Sequence, residues 1–346
     1  MQQRSSLILA AVAVIAVGGA WQFGGGLSQA PTAEAMAGGL VFPGLASKLG
    51  QVARIEIQGK AALLAIVQAG GKWGLADRGG FPVQQDKLRE LLTGLTELRL
   101  TEARTSEPAN YGRLGVEDPS PVGTSNLLRL LDGAGKPIVT LIVGHRRVRT
   151  QGNVPETIFI RRPGEAQSWM AEGRLPVDSD PQLWFERDIA NIAGAKIASA
   201  TVERGDVVLG FARNGEKFEL TAPAEHPKTD DYRVEEVARA LESLTLTDVR
   251  PATEQPGVAI GTVRHTLGDS TVITTKVFRA DTEIWIQIAA MGNTDTAKDL
   301  QARTAGWAYQ VGAWKEKSFT PTLDDLKAAE PEKPEAGQPE PAPSSE

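Results

Sequence analysis

Apolar and polar positions alternate in the same order in two separate stretches of the chain. Between Val52 and Leu100, short runs with an apolar residue at every second position lead into a stripe of leucines spaced three and four apart. The same order returns between Ile197 and Leu246. Alternation predicts half-buried strands, and the three-four spacing predicts an amphipathic helix packed against them. The pattern therefore predicts an internal repeat.

The two stretches match position by position at a nearly constant offset. Three strand positions match at an offset of 145: Ile57 with Val202, Trp73 with Phe218, and Leu75 with Leu220. After one inserted residue, five stripe positions match at an offset of 146: Leu88, Leu91, Leu95, Leu98 and Leu100 with Val234, Val237, Leu241, Leu244 and Leu246. We predict an α+β fold of two tandem modules, residues 48–185 and 186–326, each a mainly antiparallel sheet with one packed amphipathic helix.

Turn and cap residues divide each module into elements. Gly70-Gly71 and Asn214-Gly215 predict hairpins, so each copy should open with three antiparallel strands. Asp86 in the first copy, and Asp230 or Asp231 in the second, are candidate helix caps. Residues 183–189 between the copies predict a short amphipathic helical connector.

The N-terminus carries a membrane signal. Arg4 precedes an apolar run from Leu7 to Phe23, which falls between the length of a signal-peptide core and the ~20 residues of a spanning helix. Trp21 and Phe23 stand where an interfacial anchor is expected, which favours a retained transmembrane helix over residues 1–23. Ala33, Ala35 and Ala37 leave a cleaved peptide as the alternative. We expect a single-pass inner-membrane protein with a cytoplasmic N-terminus and its body in the periplasm or outside the cell.

The segments on either side of the body have the composition of a linker and of a tail. Residues 24–47, rich in Gly, Ala and Pro, predict a tether. The segment 327–346, in which Pro alternates with Glu, predicts a disordered acidic tail. A net charge of −6 and a pI near 5.4 argue against broad binding of nucleic acid. The chain contains no cysteine, which excludes disulfides and thiolate chemistry.

No motif of a known reaction occurs in the chain. It has no G-x-S-x-G elbow, phosphate-binding glycine loop or H-E-x-x-H zinc motif. His145, His226 and His265 lie far apart, without metal-ligand spacing. We therefore predict no catalytic residue, no metal and no cofactor, and interpret the protein as a non-enzyme. A hydrolase built from two scattered carboxylates remains an alternative.

Basic residues cluster at one place. Arg146, Arg147 and Arg149 follow one predicted strand, and Arg161-Arg162 follow the next. If the strands are antiparallel neighbours, the two groups could converge into a patch for an anion or an acidic partner. The alternative is a solvated hairpin end that discourages edge pairing. The tryptophans Trp73, Trp169, Trp285 and Trp307 lie within alternating strands, which favours core packing over carbohydrate stacking.

With these elements in place, the chain resembles the bacterial family called domain of unknown function 4340. The resemblance rests on Ile55-Glu56-Ile57, Gly71-Lys72-Trp73-Gly74-Leu75, the leucine stripe and the 111–119 loop. It implies an exported, membrane-attached protein, and a setting beside ABC-type transport. We expect a protein-binding accessory component of an ABC-type permease and ATPase complex. The alternative is a ligand- or polymer-binding protein with its site between the repeats, for a small molecule that the sequence does not identify.

Overall fold

The computed structural model describes residues 38–60, 62–148 and 155–329. The predicted membrane segment, most of the predicted tether, nearly all of the predicted tail and Arg149 lie outside these residues. Within the described part of the chain, no helix is long and apolar enough to cross a membrane. These described residues divide into two compact units, the first comprising residues 38–52, 56–60, 62–63, 89–148 and 155–179, and the second residues 53–55, 64–88 and 180–329.

Nine strands form the first sheet, in the order β4-β3-β2-β1-β6-β7-β8-β9-β5. They are β1 (Val52–Gln58), β2 (Leu63–Ala69), β3 (Lys72–Leu75), β4 (Phe81–Pro82), β5 (Arg99–Ala103), β6 (Asn126–Asp132), β7 (Pro137–Arg147), β8 (Thr157–Arg161) and β9 (Ser168–Glu172). The recorded pairings are antiparallel. This agrees with the predicted hairpins and with their turn residues.

Eight strands form the second large sheet, in the order β13-β12-β11-β16-β17-β18-β19-β15, and β10 pairs with β14 separately. Their bounds are β10 (Asp188–Ala190), β11 (Ile197–Arg204), β12 (Val207–Asn214), β13 (Lys217–Ala222), β14 (Leu244–Thr245), β15 (Asp248–Pro251), β16 (Val258–Leu267), β17 (Val272–Ala280), β18 (Glu283–Met291) and β19 (Trp307–Val311). Apart from the extra β4, the two large sheets have the same strand order. The fold is α+β with mainly antiparallel sheets, as predicted.

Short helices connect the strands. They are α1 (Gln85–Glu97), α2 (Tyr111–Leu114), α3 (Asp231–Ala238), α4 (Asp295–Thr304), α5 (Lys315–Phe319) and α6 (Leu323–Leu326), with 3-10 turns at Leu45–Gln51, Ala76–Arg78, Pro108–Asn110, Pro181–Leu183, Gly194–Lys196 and Arg239–Leu241. All ten stripe positions, five from each copy, are buried. The three-four spacing thus marked the inner faces of α1 and α3 and the residues that follow them.

The two predicted caps differ in outcome. The Asp230 carboxylate accepts hydrogen bonds from the amides of Tyr232 and Arg233 and caps α3, as predicted. Asp86 does not stand at a cap position, because α1 begins one residue earlier at Gln85. Its charge lies in the first turn, where it interacts favourably with the helix dipole.

The predicted helical connector is wrong. Residues 181–183 form a single 3-10 turn capped by Asp180, and the chain then enters β10. Trp184 and Phe185 are both fully buried. The chain leaves the helical conformation at Trp184, so these two aromatic side chains enter the core from the irregular segment that leads into β10.

Candidate functional site

A tight glycine loop positions strand β4, which carries Phe81, in the second unit. The backbone of Gly79 and Gly80 has φ of 62° and 81°, and the Gly80 amide donates to the Leu75 carbonyl at 2.8 Å. Glycine adopts this left-handed conformation without a steric penalty. A Cβ on Gly74 would lie 2.2 Å from the Gly80 carbonyl oxygen, so that strand position also requires glycine. The loop turns the chain from β3 into β4 and places Phe81 beside the second sheet's β19.

An ion pair fixes the same loop. The Arg78 guanidinium donates from Nε to Asp248 at 2.6 Å and from Nη1 to Asp77 at 2.9 Å. Gly79 packs against Pro251, and a Cβ there would lie 2.3 Å from the proline Cγ. All of these residues belong to the second unit.

Phe81 is the centre of an aromatic cluster. Its ring makes edge-to-face contacts with Trp307, Phe185 and Tyr309, at centroid distances of 4.9, 5.8 and 6.3 Å. Edge-to-face contacts are a favoured geometry because a positive ring edge meets a negative ring face. The Tyr309 hydroxyl donates to the Arg303 carbonyl at 3.1 Å, and burial raises the pKa of Tyr309. The phenol therefore stays neutral and serves as a fixed wall.

The aromatic groove lies over this cluster and has a volume of about 540 Å³. We define it by its lining residues: Lys72, Trp73, Gly80, Phe81, Pro82, Val83, Glu186, Asp188, Ile189, Leu246, Ala302, Arg303, Thr304, Trp307 and Tyr309. Trp73 and Trp307 are half-buried, whereas Trp169 and Trp285 lie in the core. The predicted core packing is thus confirmed for Trp169 and Trp285. For Trp73 and Trp307 the prediction is incomplete, because both side chains also line the groove.

Four charged side chains line the groove without pairing. Lys72, Arg303, Glu186 and Asp188 are exposed. Within residues 38–60, 62–148 and 155–329, none of these four side chains makes a hydrogen bond or an ion pair. The site therefore combines two aromatic surfaces with two cations and two anions that a ligand can reach.

The predicted basic patch does not assemble. β7 and β8 are antiparallel neighbours, but Arg146 and Arg147 pair with Ile158 and Thr157, whereas Arg161 pairs with Ile142. Arg161 therefore lies about 13 Å along the strand from the Arg147 end, at about 3.3 Å per residue. The two basic groups do not converge, because the register places them at opposite ends of the hairpin.

Arg161 has a structural role. It is only 4% exposed, donates to the Val116 carbonyl at 2.7 Å and to the Asp118 carboxylate at 2.5 Å, and lies over the Tyr111 ring. A buried guanidinium with these partners has no free donor set for a docking partner. Its neighbour Arg162 donates to the Val41 carbonyl at 2.7 Å.

Arg146 and Arg147 are exposed. Arg146 lies 3.5 Å from the Glu156 carboxylate. Arg147 lies over the Phe159 ring at 5.6 Å, and Arg104 lies over the same ring at 5.7 Å. This surface keeps basic character without the convergence that the sequence suggested.

The three histidines are in unrelated environments. His145 and His226 are exposed, and His265 is fully buried with its Nε2 donating to the Val237 carbonyl at 2.9 Å. Burial lowers the pKa of His265 to about 4, so the ring is neutral near pH 7. Among the described residues, no group of His, Asp and Glu is arranged to hold a metal ion.

The fold and the groove define an α+β protein with an aromatic-lined surface site. The family described as domain of unknown function DUF4340 matches residues 73–259, more than half of the chain. The chain belongs to this family. No curated protein and no solved structure matches it significantly.

Proposed function

We propose that this protein works by binding, and that the aromatic groove is its ligand site. The observation that carries the proposal is that one cavity is lined by two half-buried tryptophans and by four charged side chains that make no ion pair with any described residue. Ligand sites are concave, mainly apolar and equipped with a few polar groups that orient the ligand. The groove has this composition, and the rigid Phe81 cluster forms its floor. This favours the ligand-binding alternative from the sequence over docking by the basic patch.

The cellular setting is part of the proposal. The apolar run from Leu7 to Phe23 supports a retained membrane anchor, with the body outside the cytoplasm. The family resemblance favours an accessory role beside an ABC-type permease and ATPase. Co-purification of both subunits with the full chain from native membranes is the expected result, and their absence would contradict this setting.

We also propose that the protein contains two copies of one module. The matching strand orders and the ten buried stripe positions support this. A duplication accounts for why Trp73 and Phe218 stand on corresponding strands, β3 and β13, although only Trp73 lines the groove. One copy would then have kept a core aromatic residue, while the other acquired a surface role.

A second candidate function is docking of an acidic partner by Arg146 and Arg147. The observation that favours it is that Arg147 makes no ion pair with any residue that the structure describes and shares the Phe159 ring with Arg104. Reversal of Arg146 and Arg147 to glutamate should weaken capture of such a partner without unfolding the protein. Equal capture by the reversed protein would eliminate this candidate.

The groove can be tested without knowing its ligand. A benzophenone amino acid placed at Ala302, an exposed groove residue, inserts into C–H bonds of any ligand class. We expect an adduct in intact cells that is lost when Trp307 is changed to alanine. The matched control places the same group at Val122, which is 88% exposed in the first unit. Identical adducts from both positions, or none from position 302, would contradict the proposal.

A further inference from the structure

We infer that the ligand of the aromatic groove is an uncharged glycan chain. This inference rests on the proposed function of the groove as a ligand site and specifies its chemistry. Trp73 and Trp307 both line the groove and are both half-buried, so each indole keeps part of its surface open. The C–H-rich face of a pyranose ring is flat and apolar, and it stacks on an open indole while its hydroxyls point sideways.

The charges around the groove match hydroxyl groups. Lys72 and Arg303 can only donate hydrogen bonds, and the Glu186 and Asp188 carboxylates can only accept them when ionised. A sugar hydroxyl both donates and accepts, so neighbouring hydroxyls on one ring can serve both kinds of partner. Because the four charges sum to zero, an anionic or cationic polymer would meet repulsion from half of them. A neutral polyhydroxylated ligand satisfies the whole set.

The volume of the groove and its open rim fit a chain of sugar units. The cavity of about 540 Å³ lies within the ~300–1,000 Å³ range of small-molecule sites. Gly80, Pro82 and Ala302 line the groove and are exposed, so its rim is open to solvent. An open rim allows further sugar units to extend beyond the bound ones. The edge-to-face contacts of Phe81 fix the Trp307 ring, which reduces the entropy that binding would cost.

Titration of the purified full chain, kept in detergent, with neutral hexasaccharides tests this inference. Cellohexaose, maltohexaose and chitohexaose are each added while tryptophan fluorescence and heat are recorded. We expect at least one hexasaccharide to bind, at least tenfold more weakly after Trp307→Ala or Trp73→Ala. Trp314→Ala is the matched control, since Trp314 is 63% exposed and lies outside the groove. It should leave binding unchanged.

Measurements at different salt concentrations, and of a variant with one groove charge removed, distinguish a neutral glycan from a charged ligand. Binding of a neutral sugar should change less than twofold between 0.05 and about 0.5 M salt, because no net charge is screened. Asp188→Asn, which keeps the shape but replaces one acceptor oxygen with an N–H donor, should weaken binding of the sugar several-fold. A hexapeptide of alternating Lys and Glu is the comparison probe. Binding of the peptide but of none of the hexasaccharides would overturn the glycan inference and leave the groove as a ligand site.

Two further outcomes address the proposed function itself. If neither sugars nor peptide bind, and position 302 gives no adduct in cells, both the inference and the proposed function fail. If a hexasaccharide binds and new reducing ends appear, abolished by Asp188→Asn or Glu186→Gln, the protein is a hydrolase. That result would keep the glycan and overturn the proposal of a binding protein without catalysis.

Discussion

Arg78 donates from Nε to Asp248 at 2.6 Å, across 170 residues of sequence. The two side chains are about one quarter and one third exposed. Their contact ties the glycine loop before Phe81 to strand β15, and so holds the loop that brings Phe81 to the groove.

Removal of this ion pair should lower both the free energy of unfolding and the affinity of the groove for its ligand. Asp248→Asn removes the charge from a partly exposed contact, so we expect a loss of about 1 kcal/mol, near the upper end for solvent-accessible pairs. The change in the urea midpoint measures it. The control is Lys217→Ala in the exposed Lys217–Asp231 pair, which should shift the midpoint less. An equal shift for both variants would show that the Arg78 contact is no stronger than an ordinary surface pair.

Gly79 should not tolerate alanine. Its φ of 62° is unfavourable for a residue with a Cβ, and that Cβ would lie 2.3 Å from Pro251 Cγ. We expect Gly79→Ala to destabilise the protein by about 1–3 kcal/mol through backbone strain and the clash. Gly133→Ala is the control, because nothing lies within 4 Å of a Cβ there and its φ is not positive. Thermal unfolding of both variants would show whether the glycine is required.

Equivalent stripe positions should be equally sensitive to truncation. Leu95 in α1 and Leu241 after α3 are both 0% exposed. Leu95→Ala and Leu241→Ala should each cost about 2–5 kcal/mol, since each removes a transfer contribution and leaves a cavity. Leu63→Ala, at a position that is 47% exposed, should cost much less. Chemical denaturation that finds either buried leucine as tolerant as Leu63 would contradict the predicted packing.

Stability should fall as the pH drops below about 6.5. Burial lowers the pKa of His265 to about 4, so between pH 6.5 and 4 the unfolded chain binds a proton that the folded protein does not. The contribution is fully present above the unfolded pKa and is lost as the pH falls towards 4, with a total on the order of 3 kcal/mol.

His265→Gln isolates this effect. The glutamine amide can still donate to the Val237 carbonyl but does not titrate. Its unfolding free energy, followed from pH 7 to 4.5, should therefore decline less than that of the unmodified protein. His226→Gln, at an exposed histidine, should leave the decline unchanged. Parallel declines in all three proteins would rule out His265 as the cause.

Local periodicity alone predicted the three opening strands of each copy, the two helical stripes and the residues that they bury, but not the short strands β4, β5, β10, β14 and β15. Leu88 to Leu100 and Val234 to Leu246 were identified because an element packed on one side must repeat its apolar residues with its own period. The Asp230 cap was also predictable from the sequence, because a cap side chain accepts hydrogen bonds from amides only two and three residues away.

Only the tertiary structure decided the groove, the burial of Arg161 and the contact between Arg78 and Asp248. Strand register separated Arg161 from Arg147, although both stand at strand ends in the sequence. Trp73 and Trp285 both lie within strands, yet Trp73 lines a cavity and Trp285 is buried. These properties depend on which residues from distant segments meet, and a short-range pattern contains no information about that meeting.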